Sequence, residues 1–296
     1  MRNRSPTAAH WALSVCLLCG VSAHAQDPAT RNGKLLLTGG VTSIDGAAGG
    51  GLTPWAVIGS YATEGEFGAT AFVTRAKTQE YALTTYGAAV GFKDRLELSV
   101  AQQRFDAGIV VPGATLKLDI IGVKVKVAGD AVLDADTWMP QVAVGAEYKN
   151  LNPGASIGGV LDSVAARRDG LDLYLSATKL FLAQGILVNG TLRATRANQN
   201  GLLGFGSAGS SGYKLKPEIS IAWLLQKNIA VGAEYRWKPD QLAFAGAAFR
   251  EQAWKDVFIA WAPTKNVSVT AAYVDLGNIV GQEKQTGGYV SVQLAY

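Results

Sequence analysis

The side chains best suited to catalysis or metal ligation near neutral pH, His10, Cys16, Cys19 and His24, all fall within the first 25 residues of this 296-residue chain. The same stretch has the layout of a secretory signal: Arg2 and Arg4, an apolar run from Trp11 to Val21, then Ala23, His24 and Ala25 before Gln26. The run is too short to stay in a bilayer as a helix. Val15 and Leu18 stand where a lipoprotein cysteine needs a small residue before it. Cleavage is therefore expected after Ala25, with residues 1–25 a signal peptide and 26–296 the mature chain. Neither Cys nor His remains in that mature chain, which removes disulfides, thiol nucleophiles, imidazole bases and soft-metal sites together. A Ser-Lys or paired-carboxylate site would survive the loss, but no Ser and Lys stand at telling positions and the acids are scattered over different segments. No catalytic residue, cofactor or metal is expected, and the chain reads as a non-enzyme.

Two glycine-rich stretches invite a ligand. "GLLGFG" at 201–206 shares only its glycines with a phosphate-cradling loop and leads into no helix. "DGAAGGG" at 45–51 has an acid but not the spaced carboxylates of a calcium loop. The first reads as an outer loop and the second as a flexible loop. Without Arg2 and Arg4, the mature chain has 25 basic residues against 23 acidic, a balance that gives no concentrated basic face for nucleic acid.

These residues need elements to hold them, and the period of the sequence supplies strands. No mature segment is apolar for the roughly 18 residues that a membrane helix needs. Instead Leu96, Leu98 and Val100 alternate with Glu97, Ser99 and Ala101, and Ile229, Val231, Ala233, Tyr235 and Trp237 alternate with Glu234, Arg236 and Lys238. Such strands have one greasy and one wet face. Aromatics flank the greasy faces: Trp55 and Tyr61, Tyr86 and Phe92, Trp223, Trp237, Trp261 and Tyr273. That is the layout of the interfacial girdles of an outer-membrane barrel, where packing alone would place the aromatics of a soluble sandwich.

The predicted fold is all-β, a transmembrane antiparallel up-and-down β-barrel of about 14 strands, with 12 as the alternative because the first three segments are Gly-rich. The predicted strands run 34–42, 52–62, 66–76, 80–92, 95–105, 115–127, 138–149, 171–181, 186–196, 213–225, 228–238, 253–262, 266–275 and 287–296. Short connections such as "KD", "LAQG", "QKN" and "APTKN" alternate with the long ones at 150–170, 197–212, 239–252 and 276–286. Short periplasmic turns and long outer loops have this pattern; 128–137 is long for a periplasmic turn. Outer-membrane localisation in a Gram-negative bacterium follows, with outer-membrane lipid, lipopolysaccharide and the barrel assembly machinery as partners, no nucleic acid, and a monomer. The chain ends "SVQLAY", where Val292, Leu294 and Tyr296 share the lipid face and read as the C-terminal assembly signal.

By phase, Glu97, Lys117, Asp119, Lys124, Lys126, Glu147, Lys149, Asp172, Arg193, Glu218, Glu234, Arg236 and Lys238 face the lumen, with a bulge expected between Ile120 and Ile121. They either pair across the lumen to hold the barrel or line a narrow, weakly selective pore. In the hairpin around "QKN", facing Leu225 with Ile229 sets Trp223 against Val231 and Glu218 against Arg236.

The stretches "LDLYLSATKLF", "NGTLRATRANQNGLLGFG", "KPEISIAWLLQKNIAVGAEYRWKPDQL" and "AWAPTKNVSVTAAYVDLGNIVG" resemble a proteobacterial outer-membrane family known as domain of unknown function 3034. The resemblance covers most of the mature chain; it implies a barrel and carries over no catalytic residue. The sequence reading of function is a passive channel for small molecules. The loops "NGLLGFGSAGSSG" and "QLAFAGAAF" are apolar enough to fold inward as a plug, receive a hydrophobic solute or pack on lipopolysaccharide. The alternative is a closed structural or interaction barrel.

Overall fold

The computed structural model describes residues 34–132 and 137–296; the expected signal peptide lies outside the described residues. Twelve strands form one closed antiparallel barrel in which, apart from the closing pair, every neighbour is also a neighbour in sequence. They are β1 (Phe67–Thr78), β2 (Ala82–Phe92), β3 (Leu96–Asp106), β4 (Thr115–Ala128), β5 (Gln141–Asn152) and β6 (Asp169–Phe181). β7 (Ile186–Thr195), β8 (Lys214–Gln226), β9 (Ile229–Arg236), β10 (Trp254–Thr264), β11 (Val267–Asp275) and β12 (Thr286–Ala295) complete the wall. β12 closes on β1 with Val292 opposite Val73. Beyond the strand end, Tyr296 N donates to Ala69 O at 2.8 Å and Ala69 N to Tyr296 O at 2.9 Å. A barrel wall leaves no strand edge unpaired, which is what allows a sheet to sit in hydrocarbon.

The alternation sets the register. In β8 and β9, Trp223 lies opposite Val231, Ile221 opposite Ala233, Ile219 opposite Tyr235 and Glu218 opposite Arg236, as expected. The turn differs: a bulge between Leu224 and Gln226 pairs Gln226, rather than Leu225, with Ile229. The β2–β3 turn carries positive φ at Lys93 (52°) and Asp94 (50°), the geometry whose twist matches a two-residue hairpin.

Two expectations are corrected. The count is twelve because 34–42 and 52–62 do not enter the wall. They belong to a segment, residues 34–62, that fills the bore and is tied by a small hairpin pairing Val41–Thr42 with Ala48–Gly49. From Leu37 to Gly59 this segment has almost no exposed surface on either side, whereas a wall strand exposes every second residue. Trp55 accordingly leaves the predicted girdle; it is buried and its indole Nε1 donates to Ser220 Oγ at 3.0 Å. The second correction concerns β4. No bulge interrupts it at Ile120, for Ala101 pairs with Ile120 and Val100 with Ile121 without a break.

Candidate functional site: a plugged bore and an apolar outer chamber

Small residues let the plug thread the barrel. A side chain at Gly50 would place its Cβ 2.1 Å from Glu234 Oε1, so anything larger than glycine there would push that carboxylate away from the plug backbone it binds. Inward-facing wall side chains then replace the hydrogen bonds that a strand would take from a neighbour. Glu97 accepts from Ala48 N (3.0 Å) and Gly59 N (2.7 Å), and Glu234 from Leu52 N (2.7 Å) and Thr53 Oγ1 (2.6 Å). Lys124 Nζ donates to Ala48 O (2.8 Å) and Val57 O (2.7 Å) and pairs with Glu97 at 3.2 Å. Gln141 Nε2 reaches Ala56 O at 2.7 Å, and Thr191 Oγ1 reaches Pro54 O at 2.8 Å. Satisfying buried backbone groups in this way avoids a desolvation cost of about 1–3 kcal/mol for each one left unpaired.

One plug side chain enters a charged cluster. Asp45 lies 2.7 Å from Arg236, 3.4 Å from Lys149 and 3.8 Å from Arg193. Arg193 also meets Glu218 (2.5 Å), Glu147 (2.7 Å) and Asp172 (3.5 Å), and Lys149 meets Asp172 at 3.0 Å. Arg236 reaches Glu218 at 3.4 Å, so Glu218 is shared between its predicted partner and the nearer Arg193. Arg193 stacks over Tyr174, 5.1 Å from the ring centre; that ring fills the space where a Cβ at Gly145 would come within 2.1 Å of it.

Among the residues predicted to face inward, Glu97, Lys124, Glu147, Lys149, Asp172, Arg193, Glu218, Glu234, Arg236 and Lys238 are buried inside the barrel. Lys126 lies half-buried at the short-turn end, bonded to Asp94 and 3.6 Å from Asp130. Lys117 and Asp119 contradict the expectation. Both point outward, and Asp119 Oδ1 accepts from Gln102 Nε2 at 2.7 Å. Their neighbours Leu116, Leu118 and Ile120 take the inside. The assumption that polar means inward fails where the wall rises beyond its apolar belt: there the outside meets water and the inside packs on apolar loops. The slip in apolar phase at Ile120 and Ile121 was the signal: the backbone alternates unbroken there while the polar face changes sides.

At the long-loop end this inversion builds an apolar chamber of about 180 Å³. Ala76, Leu83, Phe105, Leu116 and Trp254 from the wall line it with Leu202 and Leu203 of the 197–212 loop, Leu242, Leu276 and Ile279. A helix, α1 (Gly154–Ser163), contributes Ile157 and Leu161 four residues apart on one face. The floor is buried, while Val110, Val160 and Phe249 at the rim reach solvent. Trp254 Nε1 and Gln199 stand out as polar groups in this lining; the indole nitrogen is buried and has no hydrogen-bond partner among the described residues. Beneath them, Lys238 donates to Gln199 Oε1 at 2.6 Å, sits 3.5 Å from Glu251 and lies over the Trp254 ring. Burial pulls the Lys238 ammonium down to about 8 against the pull of Glu251, and pushes the Glu251 carboxyl up to about 7 against that of Lys238. Among the described residues no cluster of acids has a metal-binding arrangement. None of the chamber residues was predicted as a site.

Fold and site together define a twelve-stranded outer-membrane-type β-barrel with its bore occupied by its own N-terminal segment. The chain belongs to the family described as "Protein of unknown function (DUF3034)", which it matches over residues 38–293. No curated protein matches it significantly. Among solved structures, the KdgM porin in complex with disordered oligogalacturonate superposes with a TM-score of 0.51 at 10% identity, covering 77% of this chain and 99% of that one. The NanC porin superposes with a TM-score of 0.50 at 8% identity, covering 77% and 98%. Outer membrane phospholipase A from Escherichia coli gives 0.43 at 11% identity, covering 79% and 94%. At these identities the likeness concerns the fold alone.

Proposed function

We propose that the chain is an outer-membrane barrel of a Gram-negative bacterium that takes up small apolar molecules at its outer mouth, passively and as a monomer. The outer chamber carries this reading. Its lining is almost wholly apolar, its rim is open to solvent, and it sits on the long-loop side that faces outward in bacterial barrels. An engineered cavity of about 150 Å³ in another protein holds benzene, so a chamber of about 180 Å³ suits a single aromatic ring with a short substituent. The plug blocks a straight aqueous path, which argues against free diffusion of sugars and ions. A mature chain without His or Cys leaves no obvious catalyst for an enzyme. In the test, toluene binding to the purified barrel is followed by saturation-transfer NMR. Ala76→Trp, which fills the chamber from the wall, is expected to abolish binding while the barrel keeps its heat-modifiable gel migration. Equal binding by that variant would overturn the reading.

A further inference from the structure

The outward face of β1–β4 changes from cationic to apolar over four residues. Arg75, Thr84, Arg104 and Lys117 lie directly opposite one another across four consecutive strands, with Lys77 two residues above Arg75. Strands lie about 4.8 Å apart, so Arg104 and Lys117 are adjacent and Arg75 stands one strand further, its guanidinium bonded to Thr84 Oγ1. Among the described residues none of these four cations has an ion-pair partner, whereas Lys255 on the same outer surface pairs with Asp275 at 3.1 Å. Two carboxylates flank the row, each two residues from a cation: Asp106 Oδ1 accepts from Gly108 N at 2.9 Å and Asp119 Oδ1 from Gln102 Nε2 at 2.7 Å, so the four cations leave the patch with a net positive charge. Two pairs below the cations the face is apolar and shallow, Ala71 against Ala88 between exposed Val100 and Leu294. Between the two levels runs the row Val73, Tyr86, Gln102 and Asp119, whose Val73 and Tyr86 are exposed; cations above a largely apolar face that opens into this furrow match a lipid with phosphates on its head and several acyl chains.

We infer that this face binds the phosphorylated glycolipid of the outer leaflet, lipopolysaccharide, its phosphates on Arg75, Arg104 and Lys117 and an acyl chain along the Ala71–Ala88 furrow. This rests on the outer-membrane placement proposed above. Charge-assisted contacts to phosphate supply the affinity, and several cations acting together avoid the weakness of one exposed pair.

The test uses the full-length barrel in zwitterionic detergent, with diphosphorylated lipid A titrated in and binding read by native mass spectrometry. Lipid A stripped of its phosphates and inorganic phosphate serve as the comparison ligands. Diphosphorylated lipid A is expected to bind, its dephosphorylated form on the order of tenfold more weakly, and millimolar inorganic phosphate not to displace it. The triple variant Arg75→Gln, Arg104→Gln, Lys117→Gln is expected to lose on the order of tenfold in affinity. Lys255→Gln, three strands from Arg75 and on a lysine already paired with Asp275, should change nothing, and Lys117→Arg should retain binding. Equal binding of both lipid A forms, full displacement by inorganic phosphate, or an unaffected triple variant would each overturn the inference. Because binding is measured on purified protein, it stands or falls separately from fractionation, which tests the cellular placement.

Discussion

Lys238 and Glu251 show how a buried ion pair makes a barrel sensitive to pH. Lys238 follows the end of β9 and Glu251 precedes β10, both out of reach of water. In the unfolded chain Glu251 releases its proton near 4.5, but in the folded chain only near 7. Between those values the folded form holds the extra proton, so stability contributed by this group is present below about 4.5 and is lost as pH rises towards 7. Lys238 works the other way. Its folded value near 8 lies under the ordinary 10.5, so stability is regained only as pH rises from 8 towards 10.5. The expected result is a decline in denaturant midpoint from pH 5 to 7 that Glu251→Gln removes, worth on the order of 3 kcal/mol at most. A wild-type slope identical to that of the variant would contradict it. At this scale much was legible in the sequence. Glu218 and Arg236 follow from alternation and one turn, because a slip of one residue would put an arginine into lipid at a cost of about 2–4 kcal/mol. Lys117 and Asp119 were misread, because the rule that polar faces inward holds only inside the apolar belt.

Among the elements, the wall strands were readable and the plug was not. β3, β5 and β9 present an apolar and a polar residue in turn, so period and facing coincide. Residues 34–62 mix Gly, Ala, Val and Thr as a weak strand would, and nothing local distinguishes a strand facing lipid from a segment enclosed by twelve others. The chamber escaped for a related reason: it assembles from α1, the six connections at that end and five strands, and its lining is adjacent only in space. The last strand is a clearer case. Val292, Leu294 and Tyr296 lie exposed on the outer face, and Tyr296 also closes the barrel through its backbone bonds to Ala69. We propose that the assembly machinery reads these three side chains. Tyr296→Phe is expected to assemble normally and Tyr296→Asp to accumulate unfolded, as reported by heat-modifiable migration of the membrane fraction. A folded Tyr296→Asp barrel would sink the proposal, since Asp keeps the backbone bonds while replacing the aromatic ring with a charge.

For the whole molecule, a wall of twelve strands encloses a bore too narrow to hold the plug and an aqueous channel together, since about eight strands fill their own interior and about sixteen leave water inside. The plug takes up that intermediate space with hydrogen bonds and one buried carboxylate, Asp45, among Lys149, Arg193 and Arg236. On the proposed function, small hydrophilic solutes are thereby held out, while the chamber above offers apolar molecules a place to leave water. Uptake by intact cells measures that division directly. Cells whose only copy is the wild-type barrel, the Ala76→Trp barrel or none are given radiolabelled toluene and, separately, a radiolabelled pentose. Faster toluene entry with the wild type, reduced to the level of cells without the barrel by Ala76→Trp, and pentose entry equal in all three, is the result predicted. Pentose entering faster through the wild-type barrel, or toluene entry indifferent to Ala76→Trp, would contradict the account.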